Sequence, residues 1–171
     1  PVTNTIKPSS VWHFSGGYFR NFAANKWEFS TELYYKNYNN LIEYGGNIDK
    51  IINSSEAINE FYFGKGKSFG TEVFLRKNTG KITGWVSYAL GWSYRHFDEI
   101  NNAKPYFANN DRRHDLSLVV MYEATKRLSF SSTFSYASGS RLNLARSWFV
   151  IDNKVILEYS NYNAFKMPDY H

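Results

Sequence analysis

Three glutamates, Glu28, Glu32 and Glu72, are the residues whose type and spacing come closest to acid–base chemistry. Paired carboxylates can divide the roles of general acid and general base. Alternation along the chain, however, places all three on the polar side of extended segments. This placement favours a charged wall that pairs with another domain or with Arg20 and Arg76. No pocket around the glutamates can be argued from the sequence, so catalysis is not predicted.

Arginine and tryptophan in polar stretches form a second candidate group. Arg112 and Arg113 begin a dense charge cluster where a long loop enters an extended segment. Charge there can steer an anionic ligand, form ion pairs at a rim, or meet lipopolysaccharide head groups, and the three alternatives stay open. Arg141, Arg146 and Trp148 lie in the longest loop, where such residues commonly contact ligands.

Other site chemistries lack their residues. The chain has no cysteine, and its 4 histidines are scattered without a helix-spaced pair, so no metal, cofactor or catalytic residue is predicted. Lys plus Arg number 20 and Asp plus Glu 15, which gives a net charge of 20 − 15 = +5. Because the acidic residues are spread among the basic ones, a nucleic-acid partner is not predicted.

The elements that must position these candidates are strands, because apolar residues recur with a period of two. No long segment has helical spacing, and 19% of the residues are aromatic. The pattern predicts an all-β chain of about six long strands. They are Val11–Phe22, Trp27–Lys36, Phe69–Leu75, Val86–Tyr94, Leu116–Tyr122 and Leu128–Tyr136.

Short and long connections alternate between these strands. Tight turns are predicted at Ala23–Lys26, Asn78–Lys81 and Ala124–Arg127, and long loops at 44–59, 97–111 and 139–168. A hairpin is predicted within 147–159. In an antiparallel up-and-down meander, this order puts all tight turns at one end and all long loops at the other. Bacterial outer-membrane barrels have this layout.

The faces of the strands allow two interpretations. The apolar side can form the core of a soluble β-protein or can face lipid. Several strands exceed the usual five or six residues, and tryptophan and tyrosine cluster toward strand ends, which favours lipid. By parity, Trp85 falls on the polar side. Glycines inside the strands (Gly16, Gly17, Gly64, Gly66 and Gly70) predict curvature and bulges, or space for a plug.

Several motifs together carry a family resemblance. In order, they are Gly16-Gly17-Tyr18-Phe19-Arg20-Asn21-Phe22, Trp27-Glu28-Phe29-Ser30-Thr31-Glu32-Leu33, Asn40-Leu41-Ile42-Glu43-Tyr44, Gly64-Lys65-Gly66-Lys67-Ser68-Phe69-Gly70-Thr71-Glu72, Asn109-Asn110-Asp111-Arg112-Arg113-His114-Asp115 and Lys166-Met167-Pro168-Asp169-Tyr170-His171. No one of them is specific, but their order and spacing span the chain. The whole chain resembles the C-terminal part of a TonB-dependent outer-membrane receptor of the Bacteroidetes type.

The resemblance implies a segment of a barrel of about 22 strands in the outer membrane of a Gram-negative bacterium. It implies import of a scarce nutrient (siderophore-bound iron, haem, cobalamin or a glycan) energised by the TonB complex, with membrane lipid and lipopolysaccharide as further partners. The implied protein is a transporter and not an enzyme, and the plug domain is absent from this chain. The alternatives are a soluble, lectin-like β-module and an outer-membrane barrel enzyme.

The two termini predict a piece of a longer chain. The sequence starts at Pro1 without a signal peptide, stops at His171, and contains no run of the roughly 18–20 apolar residues that a membrane helix needs. Six strands are also fewer than the eight of the smallest membrane barrels. An isolated open sheet is expected to self-associate through its strand edges.

Overall fold

The computed structural model describes residues 7–44, 61–151, 154–159 and 161–171. This part of the chain is all-β except for one short 3-10 helix, Asn101–Ala103. The strands are β1 (Ser10–Phe22), β2 (Trp27–Tyr44), β3 (Phe61–Lys77), β4 (Ile82–His96), β5 (Tyr106–Phe107), β6 (His114–Thr125), β7 (Leu128–Ala137), β8 (Arg141–Leu142), β9 (Ala145–Ile151), β10 (Lys154–Tyr159) and β11 (Phe165–Lys166).

Six long strands form an antiparallel meander in the order β1-β2-β3-β4-β6-β7, with β5 paired to β4. All six strands predicted from the alternation are confirmed, and their true lengths run from 10 residues in β7 to 18 in β2. The alternation predicts that β4 starts at Val86, later than its observed start at Ile82, because Thr83 and Gly84 do not continue the pattern. In the described part of the chain the sheet stays open, with β1 and β7 at its two ends.

Tight turns and long connections lie at opposite ends of the sheet, as predicted. The first turn holds Ala23, Ala24 and Asn25 in the left-handed region, with φ of 52°, 53° and 62°, and Gly80 has φ 106° in the second. The third turn is shorter than predicted, since β6 continues through Thr125. We call the end with these turns the turn end and the other the loop end.

The long connections have structure of their own. Residues 97–111 contain the 3-10 helix and β5, and residues 139–168 contain β8 to β11. The hairpin predicted within 147–159 is present as the pair β9–β10. The predicted loop at 44–59 lies outside the described residues except for Tyr44, which ends β2. No helix in the described part of the chain is long and apolar enough to cross a bilayer.

The cross-strand register separates two faces. The apolar face carries Trp12, Phe14, Tyr18, Phe22, Trp27, Phe29, Leu33, Tyr35, Phe69, Val73, Leu75, Val86, Tyr88, Leu90, Trp92, Tyr94, Leu116, Leu118, Val120, Tyr122, Phe130, Phe134 and Tyr136. The polar face carries Glu28, Ser30, Glu32, Tyr34, Lys36, Ser68, Gly70, Glu72, Phe74, Trp85, Ser87, Ala89, Gly91, Ser93, Ser117, Ser131, Thr133 and Ser135. Trp85 is on the polar face, as its parity predicts.

The only buried apolar cluster among the described residues lies at the loop end. Phe97, Ile100 and Tyr106 form it, and Leu41, Tyr62 and Tyr162 pack against it. No second layer covers the apolar face in the described part of the chain. Leu33, near the middle of β2, is 66% exposed.

The bulge expected near the strand glycines lies opposite Gly64 and Gly66, and the space for a plug stays a prediction. The bulge in this region belongs to β2, where the register shifts between Tyr38 and Leu41 and Asn40 has φ 53°. Gly64 of β3 instead makes room for a ring, since a Cβ there would lie 2.5 Å from Cδ1 of Phe97. The small residue is therefore needed for the loop-end cluster to pack on β3.

Candidate functional site

Four aromatic side chains meet on the apolar face at the loop end. Phe69 of β3 stacks on Trp92 of β4 with ring centroids 5.4 Å apart. Pairing of β5 with β4 places Phe107 opposite Tyr94, and their rings lie 4.9 Å apart. The short strand β5 thus extends an aromatic group that begins on β3.

Two arginines pack on these rings. The Arg113 guanidinium lies 4.8 Å from the Trp92 ring centroid and 5.4 Å from that of Phe107. The Arg141 guanidinium lies 4.4 Å from the same Phe107 centroid. All three distances are within the range of attraction between a cation and an aromatic face. We call Arg113, Arg141, Trp92 and Phe107 the arginine cluster.

The carboxylate of Asp111 contacts this cluster. Asp111 accepts a hydrogen bond from Arg113 Nη2 at 3.3 Å, and its other oxygen accepts one from the Ser93 backbone N–H at 2.8 Å. The Asp111 side chain is only 3% exposed, so it is committed to these partners. Arg141 forms no ion pair with any residue that the structure describes.

A cavity of about 160 Å³ opens on the polar face near the loop end. Its lining includes Tyr34, Lys36 and Tyr38 from β2 and the exposed Arg112. Lys36 Nζ lies 5.3 Å from the Tyr34 ring centroid. Two cations beside tyrosine hydroxyls can hold a polar ligand that carries an anionic group. Arg112 thus lines this cavity, whereas its neighbour Arg113 packs on Trp92 and pairs with Asp111, two residues that also belong to the cavity lining.

The three glutamates predicted as site residues lie on the polar face. Glu32 and Glu72 are direct cross-strand partners and line a shallow depression of about 390 Å³. Like charges in this position repel each other, so the pair lowers the stability of the sheet. The register places Glu28 opposite Arg76, but neither forms an ion pair within the described residues.

Arg20 does not pair with the glutamates, contrary to the sequence-based expectation. Its cross-strand partner is Phe29, which places Arg20 on the apolar face. Arg146 and Trp148 belong to β9, in a separate two-stranded sheet with β10. Trp148 is 69% exposed, and neither residue lines either depression. Within the described ranges, no three His, Asp or Glu residues are grouped in a way that suits a metal ion.

The sequence pattern does not indicate the polar contacts of Glu43, which we call the first anchor of the loop end. Arg95 Nη1 donates to Glu43 Oε2 at 2.9 Å, and the Tyr162 hydroxyl donates to Glu43 Oε1 at 3.1 Å. Burial, and then the charge of Glu43, raise the pKa of Tyr162. Tyr162 lies far from Glu43 in the sequence, so no local pattern signals the contact.

A second anchor ties the last residues to β7. Asp169 accepts hydrogen bonds from Lys166 Nζ at 2.8 Å, the Tyr136 hydroxyl at 2.7 Å and the Gly139 backbone N–H at 3.0 Å. These three donors, led by Lys166, hold the pKa of Asp169 well below its usual range.

Comparison with known proteins finds no matching family model, no similar curated protein and no similar solved structure.

Proposed function

We propose that this chain is part of the wall of an outer-membrane transport receptor of the TonB-dependent type. One observation carries the proposal: in the described residues a single-layer antiparallel sheet exposes a face that is apolar except for a few residues such as Arg20, while its opposite face is mostly polar. A soluble protein normally covers such a large apolar surface. A membrane barrel turns that surface toward lipid and its polar face toward the lumen.

The height of the apolar face supports this proposal. On β3, Lys67 and Lys77 bound a stretch of the apolar face that carries no charge between them. Ten residues at about 3.3 Å each span roughly 33 Å along the strand. At a tilt of about 40°, this corresponds to about 25 Å, the height of the apolar band of outer-membrane barrels.

Aromatic residues border the apolar face at both ends. Phe22 and Trp27 stack at the turn end with ring centroids 6.2 Å apart, and Phe69, Trp92 and Tyr94 lie at the loop end. Tryptophan and tyrosine prefer the boundary between lipid tails and head groups. The Lys77 ammonium lies 5.8 Å from the Trp27 ring centroid, and a lysine at this boundary can keep its charge among the lipid head groups.

The side chains and the cavity of the polar face are the basis for the transport part of the proposal. Serine and glutamate side chains and glycine backbone make up much of it, and the cavity beside Tyr34, Lys36 and Arg112 opens near the loop end. In the proposed receptor this cavity is a contact surface for the nutrient, which is siderophore-bound iron, haem, cobalamin or a glycan. The TonB complex energises import through other parts of the receptor.

Tryptophan quenching tests which face meets lipid. Single-tryptophan variants retain either Trp27 on the apolar face or Trp85 on the polar face, with the other tryptophans changed to phenylalanine. After refolding of the chain into phosphatidylcholine vesicles, lipids brominated on their tails should quench Trp27 strongly and Trp85 weakly. Equal quenching of both residues would contradict the assignment of the faces.

A chain that is a stable monomer in water without detergent would overturn the membrane proposal and favour a soluble, lectin-like β-module. The transport step is tested in cells that lack the protein. They should lose uptake of one of the four nutrient classes, and removal of TonB should cause the same loss. Unchanged uptake of all four would exclude the import function.

A further inference from the structure

We propose that the turn end of the sheet binds the head groups of anionic phospholipids in the leaflet that surrounds it. This inference rests on the proposed membrane location of the apolar face, and it goes beyond nutrient import. It concerns the three tight turns and the strand ends beside them, residues 20–28, 76–82 and 122–128, which we call the turn row. The nutrient cavity lies at the loop end, so the two surfaces can be tested separately.

The turn row holds the whole excess of positive charge of the chain. It contains two acidic residues, Glu28 and Glu123, against seven basic ones: Arg20, Lys26, Arg76, Lys77, Lys81, Lys126 and Arg127. The chain has 20 basic and 15 acidic residues in all, so 20 − 7 = 13 basic and 15 − 2 = 13 acidic residues lie outside the row. These balance each other, and the net charge of +5 therefore belongs to the turn row.

The protein does not neutralise these cations with carboxylates of its own. The ion pairs in the described part of the chain lie at the loop end, and none includes a basic residue of the turn row. All of these basic side chains are exposed except Lys77, which is half-buried against the Trp27 ring. A cationic surface without internal partners attracts an anion from outside the protein.

Hydrogen bonds between neighbouring hairpins hold the cations in one row. The Asn78 backbone N–H donates to the Lys26 carbonyl oxygen at 2.8 Å, which joins the first turn to the second. The Glu123 backbone N–H donates to the Lys81 carbonyl oxygen at 2.8 Å, which joins the second turn to β6. Consecutive turns lie two strand spacings apart, or about 10 Å. The charge is therefore spread along the sheet, which suits the head groups of a leaflet better than one small anion.

The apolar residues beside the turn row favour a lipid over other anions. Ile82, Tyr122 and Phe130 lie on the apolar face next to the turns and are 51, 42 and 58% exposed. Arg20 lies on the same face, where its long side chain can extend from the apolar region to the head groups. A phospholipid with a negative head group contacts the cations and the apolar side chains at once. A polyanion without acyl chains contacts only the cations.

Bromine quenching of Trp27 measures which lipid lies beside the turn row. The variant that keeps only Trp27 is refolded into equimolar vesicles of phosphatidylcholine and phosphatidylglycerol, with bromine on the tails of one lipid or the other. Brominated phosphatidylglycerol should quench Trp27 about twofold more strongly, because basic residues near a membrane surface attract anionic lipid. Raising the salt concentration from about 0.05 M to about 0.5 M should remove most of this difference. Equal quenching by the two lipids at low salt would overturn the proposal.

Removal of one cation from each turn tests the source of the preference. The turn variant combines Lys26→Gln, Lys81→Gln and Arg127→Gln, which lowers the net charge of the row from +5 to +2. It should lose more than half of the excess quenching by brominated phosphatidylglycerol. The pair Lys26→Arg and Lys81→Arg should keep all of it, because the row needs charge and not the shape of lysine.

A matched control removes the same net charge at the loop end. It combines Lys65→Gln, Lys67→Gln and Lys104→Gln, three exposed positions. This control should leave the excess quenching of Trp27 by brominated phosphatidylglycerol unchanged. An equal loss in the turn variant and in the control would mean that net charge alone attracts the lipid, and it would overturn the assignment to the turn row.

The competing partner is a polyanion of the periplasm, which the turn end faces in outer-membrane barrels. Isolated peptidoglycan is mixed with the detergent-refolded chain, and sedimentation measures how much of the chain it carries down. We expect the turn variant and the unmodified chain to sediment with peptidoglycan equally little. Sedimentation that the turn variant loses, together with equal quenching of Trp27 by the two lipids, would assign the row to the cell wall and overturn the lipid proposal.

The same quenching data separate failure of this inference from failure of the proposed function. If both brominated lipids quench Trp27 equally, the chain lies in the membrane as proposed and only the lipid preference is wrong. If neither lipid quenches Trp27, both proposals fail. Circular dichroism of each variant verifies that the sheet is retained, so a lost preference does not reflect loss of the fold.

Discussion

Strand positions differ in whether they have room for a side chain, as two glycines on the apolar face show. Gly84 of β4 has φ 147°, and a Cβ there would lie 2.0 Å from the carbonyl oxygen of Val119 on β6. Gly16 of β1 has nothing within 4 Å of the same position. The strand pattern alone does not distinguish these two residues.

We therefore expect Gly84→Ala to lower the free energy of unfolding by roughly 1–3 kcal/mol, because the methyl group forces β4 and β6 apart at a strained backbone position. The matched control Gly16→Ala should change it by less than about 0.5 kcal/mol. Urea unfolding in detergent, followed by circular dichroism, measures both. Equal effects of the two substitutions would contradict the close contact at Gly84.

At the scale of elements, the loop end is held together by contacts between distant segments. Glu43 joins β2 to β4 through Arg95 and to the C-terminal segment through Tyr162. Asp169 joins that segment to β7, where Ala137 and Tyr170 exchange backbone hydrogen bonds of 2.8 and 2.9 Å. These anchors place the residue 139–168 connection beside β5 and so bring Arg141 onto Phe107.

The Asp169 anchor should depend on pH in a defined direction. Its folded-state pKa is depressed by Lys166, Tyr136 and the Gly139 N–H, so its contribution to stability is fully present above the unfolded-state pKa of about 3.9. The contribution falls as pH drops through the lower folded-state value. Hydrogen-exchange protection of the Tyr170 amide should therefore persist at pH 5 and be lost in strong acid.

Asp169→Asn should lower the hydrogen-exchange protection of the Tyr170 amide at pH 5. The substitution should also remove the loss of this protection in strong acid. Asp98→Asn, at an exposed loop position whose carboxylate pairs with His96, is the control and should leave that amide unchanged. Persistence of full protection in Asp169→Asn would show that the backbone pair Ala137–Tyr170 suffices to hold the segment.

At the scale of the whole molecule, an open sheet presents two edges and a large apolar face. In the described residues, β1 and β7 end the sheet, and apart from Ala137, which pairs with Tyr170, their outer backbone groups are available for pairing with another chain. In detergent the apolar face is covered, whereas in water it is not. Association with further copies of the chain satisfies the edges and reduces the exposed apolar area.

We expect sedimentation in detergent-free buffer to show oligomers of the 20.0 kDa chain and no significant monomer. The main contact is expected to be between strand edges. Phe134→Glu on the apolar face and Ser135→Glu on the polar face of β7 should then both remain associated. Dissociation caused by Phe134→Glu alone would instead show face-to-face packing. A clean monomer in water would contradict the open-sheet account.

Much of this architecture was determined by the sequence itself. Alternation is a local property of an extended chain, so the six long strands, their two faces and the side of Trp85 follow from neighbouring residues. Turn residues such as Gly80 likewise set the short connections locally. Alternation therefore predicts the correct face for Glu28, Glu32 and Glu72 without their cross-strand partners.

The tertiary structure decided which residues meet. The strand β5, the cluster of Phe97, Ile100 and Tyr106, and the separation of Arg112 from Arg113 depend on loops folding back onto strands far away in the sequence. Arg141 reaches Phe107 because its backbone N–H donates to the Asn109 carbonyl oxygen and because the Asp169 and Tyr162 contacts hold the rest of its connection in place. Such contacts leave no periodic signal, since they join residues that share no local repeat and only the folded chain brings them together.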